Sequence, residues 1–177
     1  RAYKRQGNIQ GLLDSLSHKN SDIQFLAAEG LAKSGHVQGN SILLAAIDYQ
    51  GNANYRQRAV LALGESADER ALDKLLQLAE EQGHFLQEVA IEAIGHMGKS
   101  DKAEHILRLL KNTLSQANPA SGIVQRVLNG LRWLNTLSAW QQICAYINDN
   151  NSPDFYSINH KIHALNLLQY WPTAASR

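Results

Sequence analysis

Side chains able to do chemistry are few in these 177 residues, and they do not cluster. Seven histidines stand at 18, 36, 84, 96, 105, 160 and 163. His160 and His163 are three apart, a spacing that sets both on one helix face and suits two ligands of a metal ion. A zinc site needs more ligands, and no further carboxylate or thiol stands at that spacing; Asp154 falls in the loop before them. The pair reads as surface polar residues. Cys144 is the only cysteine, which excludes an internal disulfide and a four-thiolate zinc site. It sits in an apolar register with no base beside it, so it reads as a small buried hydrophobe and not as a nucleophile. There is no Gly-rich phosphate loop, no Gly-x-Ser-x-Gly elbow and no His-Glu-x-x-His pair. No catalytic, cofactor or metal residue is assigned, and the expectation is a chain without enzymatic activity.

Binding chemistry has more support. The formal net charge is +1, which gives no broad attraction to nucleic acid or anionic membrane. That total hides an asymmetry. Residues 51–100 carry 5 basic and 8 acidic groups, net −3, and residues 101–177 carry 7 basic and 4 acidic, net +3. The basic stretch also holds Arg126, Arg132, Trp133, Lys161, His163 and Tyr170. Exposed Trp, Tyr and Arg are the types that dominate interface energies, and the same types stack bases and contact phosphates. These six are the candidate partner-binding residues. The alternative for Trp133 and Tyr170 is packing on Leu134 and Trp171. Trp140 and Trp171 read as structural, because they match the apolar positions Ala103 and Met97.

These residues are positioned by a repeat. Ile23 to Ala32, Tyr55 to Gly64 and Leu86 to Gly95 align with apolar residues in step: Ile23, Tyr55, Leu86, then Ala27, Ala59, Ala90, then Leu31, Leu63, Ile94. Weaker copies follow around Val127 and Leu131 and around Ala164 and Leu168. Three residues after the small residue stand Gly30, Ala62, Ala93 and Gly130, loosening to Leu167, and small residues there let two helices approach closely. A second series interleaves: Leu12/Leu13/Leu16, Leu43/Leu44/Ile47, Leu75/Leu76/Ala79, Ile106/Leu107/Leu110 and Ile143/Cys144/Ile147. Both series show helical spacing. The second series defines A helices and the first B helices. From B to the next A the offset is always 16 residues, so that turn is geometrically fixed. The A-to-B connection lengthens in the later copies, near Ser115 to Ala120 and Asp149 to Asp154, both rich in turn formers. Asp22, Asn54 and Ser121 are placed to cap B helices, and Gly35 and Gly98 to end them. Each helix pair is too short to bury its apolar face alone, so pairs must stack.

The segment Tyr55-Arg56-Gln57-Arg58-Ala59-Val60-Leu61-Ala62-Leu63-Gly64 resembles the short HEAT repeats of bilin-lyase-type proteins, with Leu86 to Gly95 and Ile23 to Ala32 as further copies. The resemblance implies an all-α, right-handed α-α superhelix, a HEAT-repeat solenoid of about five helix pairs with truncated ends. The pairs fall at about 8–35, 39–67, 69–98, 101–136 and 138–172 of a single array covering 1–177. The motif arginine is Gln24, Gln87, Val124 and Lys161 in the other copies, so one Arg-based ladder cannot run throughout. Deoxyhypusine hydroxylases of this repeat type hold iron with His-Glu pairs, but Gln57-Arg58, Glu88-Val89 and Gln125-Arg126 stand at those places. Bilin lyase subunits share the repeat, yet no chromophore-specific residue transfers. HEAT-like alkylpurine DNA glycosylases use an Asp on the B-helix face, and no Asp here falls on it.

The resemblance also implies a role. B helices line the concave binding side of such arrays. Their outward positions read Phe25, Glu29, Lys33, then Gln57, Arg58, Leu61, Glu65, then Glu88, Glu92, His96, then Gln125, Arg126, Asn129, Arg132, Trp133, then Ile162, His163, Asn166, Gln169, Tyr170. The expectation is a non-catalytic scaffold binding a protein partner through that face. Nucleic-acid binding by the basic, aromatic half is the alternative, and a lyase or accessory subunit of an enzyme complex the third. No cofactor and no membrane contact is expected, and a cytoplasmic location fits the lone thiol. The register sets Tyr3 in the position of Met97, at the end of a preceding B helix, and the next Leu pair near position 180. Part of a longer array or multidomain protein is therefore expected.

Overall fold

The computed structural model describes residues 2–49, 51–81, 85–97, 103–117, 122–149, 155–169 and 171, with side chains described from residue 8 onward and, in the last helix, from 158. Among the described residues there are ten helices and no strand. They are α1 (Ala2–Ser15), α2 (Ser21–Lys33), α3 (Asn40–Asp48), α4 (Ala53–Ser66), α5 (Glu69–Glu80), α6 (Gln87–His96), α7 (Ala103–Gln116), α8 (Ile123–Leu134), α9 (Leu137–Asn148) and α10 (Phe155–Gln169). Odd-numbered helices are the A series and even-numbered ones the B series. None is long and apolar enough to cross a membrane. The chain divides into two compact units, residues 1–93 and 94–177.

Helix ends follow local sequence. Asn20 caps α2 by accepting from Asp22 N, and Asn52 caps α4 by accepting from Asn54 N and Tyr55 N. The capping residue is thus two positions earlier than Asp22 and Asn54, which lie inside the first turn; Asp22 instead accepts the Tyr55 hydroxyl at 3.0 Å. An asparagine carbonyl in extended conformation reaches the orphan amides that a residue already inside the helix cannot. Gly35 ends α2 at φ +76, with His36 N bonding Leu31 O and Gly35 N bonding Ala32 O. That pairing satisfies two terminal carbonyls. Ala67 and Asn135 adopt the same left-handed conformation after α4 and α8. Ser121 and Gly98 lie outside the described residues. Residues 2–4, with Tyr3, belong to the single continuous helix α1 and are not the end of a separate B helix.

Core residues come from both series. Ala27, Ala28, Leu31, Leu43 and Ile47 lie in the first unit with Ala59, Val60, Leu63, Leu72 and Leu75; Ile106, Leu110, Val127, Leu128, Leu131 and Ile143 fill the second. B helices also meet B helices across neighbouring pairs. A Cβ on Gly64 would stand 2.5 Å from the Ala93 carbonyl oxygen, and one on Gly95 would stand 2.4 Å from that of Gly130. Both contacts join the fifth residue after the small position of one B helix to the third residue after it in the next. Backbone-to-backbone approach there leaves no room for any side chain.

Candidate partner-binding face

α8 turns Val124, Val127, Leu128, Leu131 and Leu134 into the core. Helical spacing then sends Gln125, Arg126, Asn129 and Trp133 to the other side. The close approach of Gly95 and Gly130 brings the end of α6 alongside α8. His96 follows Gly95 directly, and Trp133 stands three residues after Gly130, so the two rings meet. They stack with centroids 4.2 Å apart and planes at 26°. The indole nevertheless remains 52% exposed. An indole held rigid by one stacked face and open on the rest loses little rotamer freedom on binding.

Beside it, His163 Nε2 of α10 donates to Asn129 Oδ1 of α8 at 2.8 Å. The amide oxygen only accepts, so this bond fixes the imidazole with its proton on Nε2. Ile162, next to His163, is exposed. Arg126 and Arg132 are half-buried. The Arg132 guanidinium lies 5.1 Å from the Trp171 ring centroid, which spends its flat face on a neighbouring aromatic. Trp171 is half-buried beneath it, in keeping with a structural role.

Lys161 does not join this group. Its Nζ donates to the Asp149 carbonyl oxygen, at the end of α9. It lines a cavity of about 530 Å³ shared with Lys111, Gln142, Tyr146 and Asp149. The register explains this. Lys161 stands where Arg56 stands in its own repeat, and Arg56 Nε donates to Ile47 O at 2.6 Å, near the end of α3. Both cations satisfy carbonyls at the end of the preceding A helix, and among the described residues the motif arginine of the best repeat meets no acidic partner. Tyr170 lies outside the described residues. One tryptophan expectation changes. Trp140 is 39% exposed; its counterpart Ala103 is only half-buried, so that position was never core.

The corresponding face of the first unit differs. Phe25 and Glu29, expected outward, are buried. Phe25 packs edge-on against Tyr55, with centroids 4.5 Å apart, and the Arg58 guanidinium covers both rings. Arg58 also reaches back to both Glu29 carboxylate oxygens, and Lys33 bonds Glu29 Oε1 at 3.0 Å. The aromatic that would offer binding area is already covered. Sequence spacing had placed His96 and Asn129 on the outward face without distinguishing them from their neighbours. The signal was register: His96 and Trp133 occupy the same position in consecutive repeats. Among the described residues no three His, Cys, Asp or Glu side chains converge into a group able to hold a metal.

Comparisons with known proteins agree with this architecture. None of the curated proteins matches the sequence significantly. Among solved structures, one similar chain comes from the complex of CpcE and CpcF of phycocyanin lyase from Nostoc sp. PCC7120, at 18% identity and a TM-score of 0.55. The alignment covers 90% of this chain and 64% of that one, so the present chain spans less than two thirds of the lyase chain's length. At that identity the likeness shows fold alone. The family described as HEAT repeats matches at residues 9–95 and again at 40–118, which together cover more than half of the sequence. Helix pairs in fixed register and that double match lead to one conclusion: the chain belongs to the HEAT repeat family.

Proposed function

We propose that this chain is a non-catalytic HEAT-repeat scaffold that binds a protein partner through the B-helix face of residues 94–177. The observation that carries this reading is Trp133, half exposed yet held in place by the His96 ring. Around it Asn129, His163 and Arg126 supply polar contacts, and Ile162 adds an apolar one. A central, preorganised aromatic with a polar surround is the usual anatomy of a protein interface. Nucleic acid is disfavoured because Arg132 and Lys161 are turned to Trp171 and to a backbone carbonyl. The solved lyase chain of similar fold belongs to a two-chain complex, which supports pairing with another protein and leaves a lyase-subunit role as the second reading.

The test is affinity capture from the source cell with wild type and Trp133→Ala in parallel. A protein retained by the first and lost by the second supports the reading. An identical retained set overturns it. A labelled single-stranded oligonucleotide, titrated at low and high salt, checks the nucleic-acid alternative. Steeply salt-dependent binding, weakened by Arg126→Ala, would replace the protein partner with a polyanion.

A further inference from the structure

A hollow where A helices end and B helices begin recurs in both compact units. In residues 94–177 it is the cavity of about 530 Å³ that Lys161 lines. In residues 1–93 its counterpart is a cavity of about 480 Å³ between α2, α3 and α4. α3 lines it with Ile42, Ala45, Ala46 and Tyr49, and α9 lines the other with Gln142, Ala145, Tyr146 and Asp149, at the same four register positions. The repeat therefore produces the hollow and leaves its lining free. The two linings are opposite in chemistry. One presents Lys111 and Lys161. The other presents three aromatic rings, Phe25, Tyr49 and Tyr55, with the Asp22 carboxylate and, among the described residues, no lysine, arginine or histidine.

Each of these four groups is held. Phe25 is buried and packs edge-on with Tyr55. Tyr49 is 62% exposed, yet its ring folds back over Gly51, so closely that a Cβ there would stand 2.6 Å from the ring and its hydroxyl. Tyr55 enters α4 just after the Asn52 cap, and its hydroxyl donates to Asp22 Oδ1. Among the described residues Asp22 accepts nothing else and pairs with no cation. Aromatic faces attract cations, and an unpaired carboxylate beside them adds to that attraction. Two of these rings already hold one cation, since Arg58 lies over both Phe25 and Tyr55. The charge of Arg58 is met by Glu29, and its side chain does not line the cavity. An anion entering there would face Asp22 with no cation to hold it.

We propose that the cavity between α2, α3 and α4 binds an alkylammonium group, with Asp22 as its counter-ion and Phe25, Tyr49 and Tyr55 as its aromatic walls. The cavity is of the size that takes a small molecule or a single side chain. Either a free quaternary amine or the lysine of another protein carries the required group. The matching hollow of residues 94–177, lined by lysines, should refuse it.

Proton–nitrogen correlation spectra of the full chain, titrated with choline chloride at constant ionic strength, test this. The amide resonances of Asp22, Tyr49 and Gly51 should shift saturably, while those of Gln142 and Asp149 stay still. Neohexanol, the uncharged carbon isostere of choline, should bind about tenfold more weakly. Asp22→Asn keeps an oxygen for the Tyr55 hydroxyl, and Tyr49→Leu keeps apolar area; each should weaken choline about tenfold. Gly51→Ala retains every side chain that lines the cavity but displaces the Tyr49 ring, and should weaken choline as well. A circular dichroism melt of each variant confirms that it is folded. A parallel titration with Nα-acetyl-lysine methylamide separates the two sources. Tighter binding than choline assigns the site to a lysine side chain, and weaker binding to a free quaternary amine. Neohexanol binding as tightly as choline overturns the proposal. So does the absence of any saturable shift, a shift of equal size at Gln142 and Asp149, or choline binding unchanged by Asp22→Asn and Tyr49→Leu.

Discussion

Two bridges between B helices occupy the same register and use different chemistry. In residues 1–93, Glu29 of α2 meets Arg58 of α4. In residues 94–177, Asn129 of α8 meets His163 of α10. Each joins the residue two after the small position to the residue just before it in the next repeat. Leu61 of α4 and Val89 of α6 hold the equivalent places at the next junction of the first region, with no polar side-chain atom to share. The repeat thus dictates where a cross-helix contact falls and leaves its nature free. The charged version is also the more committed one. Burial pushes the Glu29 carboxyl up, but hydrogen bonds from Arg58 and Lys33, and their charges, more than offset this and hold it below the ordinary glutamate value. Arg58 is consumed in covering Phe25 and Tyr55. The neutral bridge leaves Trp133 open beside it. Stability and availability for binding have been divided between the two regions.

This contrast can be broken at several levels. The largest effect should come from Leu63→Asp or Leu131→Asp, one in each region, since both side chains are fully buried. An unpaired carboxylate there should cost more than about 4 kcal/mol and abolish the cooperative urea transition. An unchanged melt from either would show that the repeat register is misassigned. Next, Gly95→Val should cost roughly 1–3 kcal/mol by overpacking and pull His96 away from Trp133. Tryptophan fluorescence should report the change, whereas Gly64→Val should leave that signal alone.

Glu29→Gln should cost about 1–2 kcal/mol at neutral pH, measured by urea denaturation. Because the folded carboxyl is shifted downward, its contribution is complete above the ordinary glutamate range. It should fade as pH falls through the lowered folded value, and the variant should lose that acid dependence. The smallest effect belongs to Asn129→Ala, about 1 kcal/mol. Asn129→Glu would copy the charged bridge into the second region. Its coupling to His163, read from a double-mutant cycle with His163→Ala by urea denaturation, should exceed that of the wild-type pair. A coupling no larger than the wild-type one would show that the two sites are not interchangeable.

The helix pairs, their turns and most of the core were legible from spacing alone, because burial on one helix face must repeat with the helix. The small residues at Ala93 and Gly130 were legible for the same reason, and the structure adds that they face Gly64 and Gly95. Side-chain destinations were less so. Lys161 looked like surface charge, since spacing shows which way a stem leaves the helix and not that a carbonyl at the end of α9 waits within its reach. Phe25 looked exposed because its cover, Arg58, arrives from another repeat.

The thiol of Cys144 half-hides in α9, and burial pushes its pKa upward. It is therefore poorly ionised at neutral pH and slow to alkylate while the helix stays packed. With no second cysteine to compete, its labelling rate becomes a clock for the breathing of that helix, readable in a mass spectrometer under native conditions.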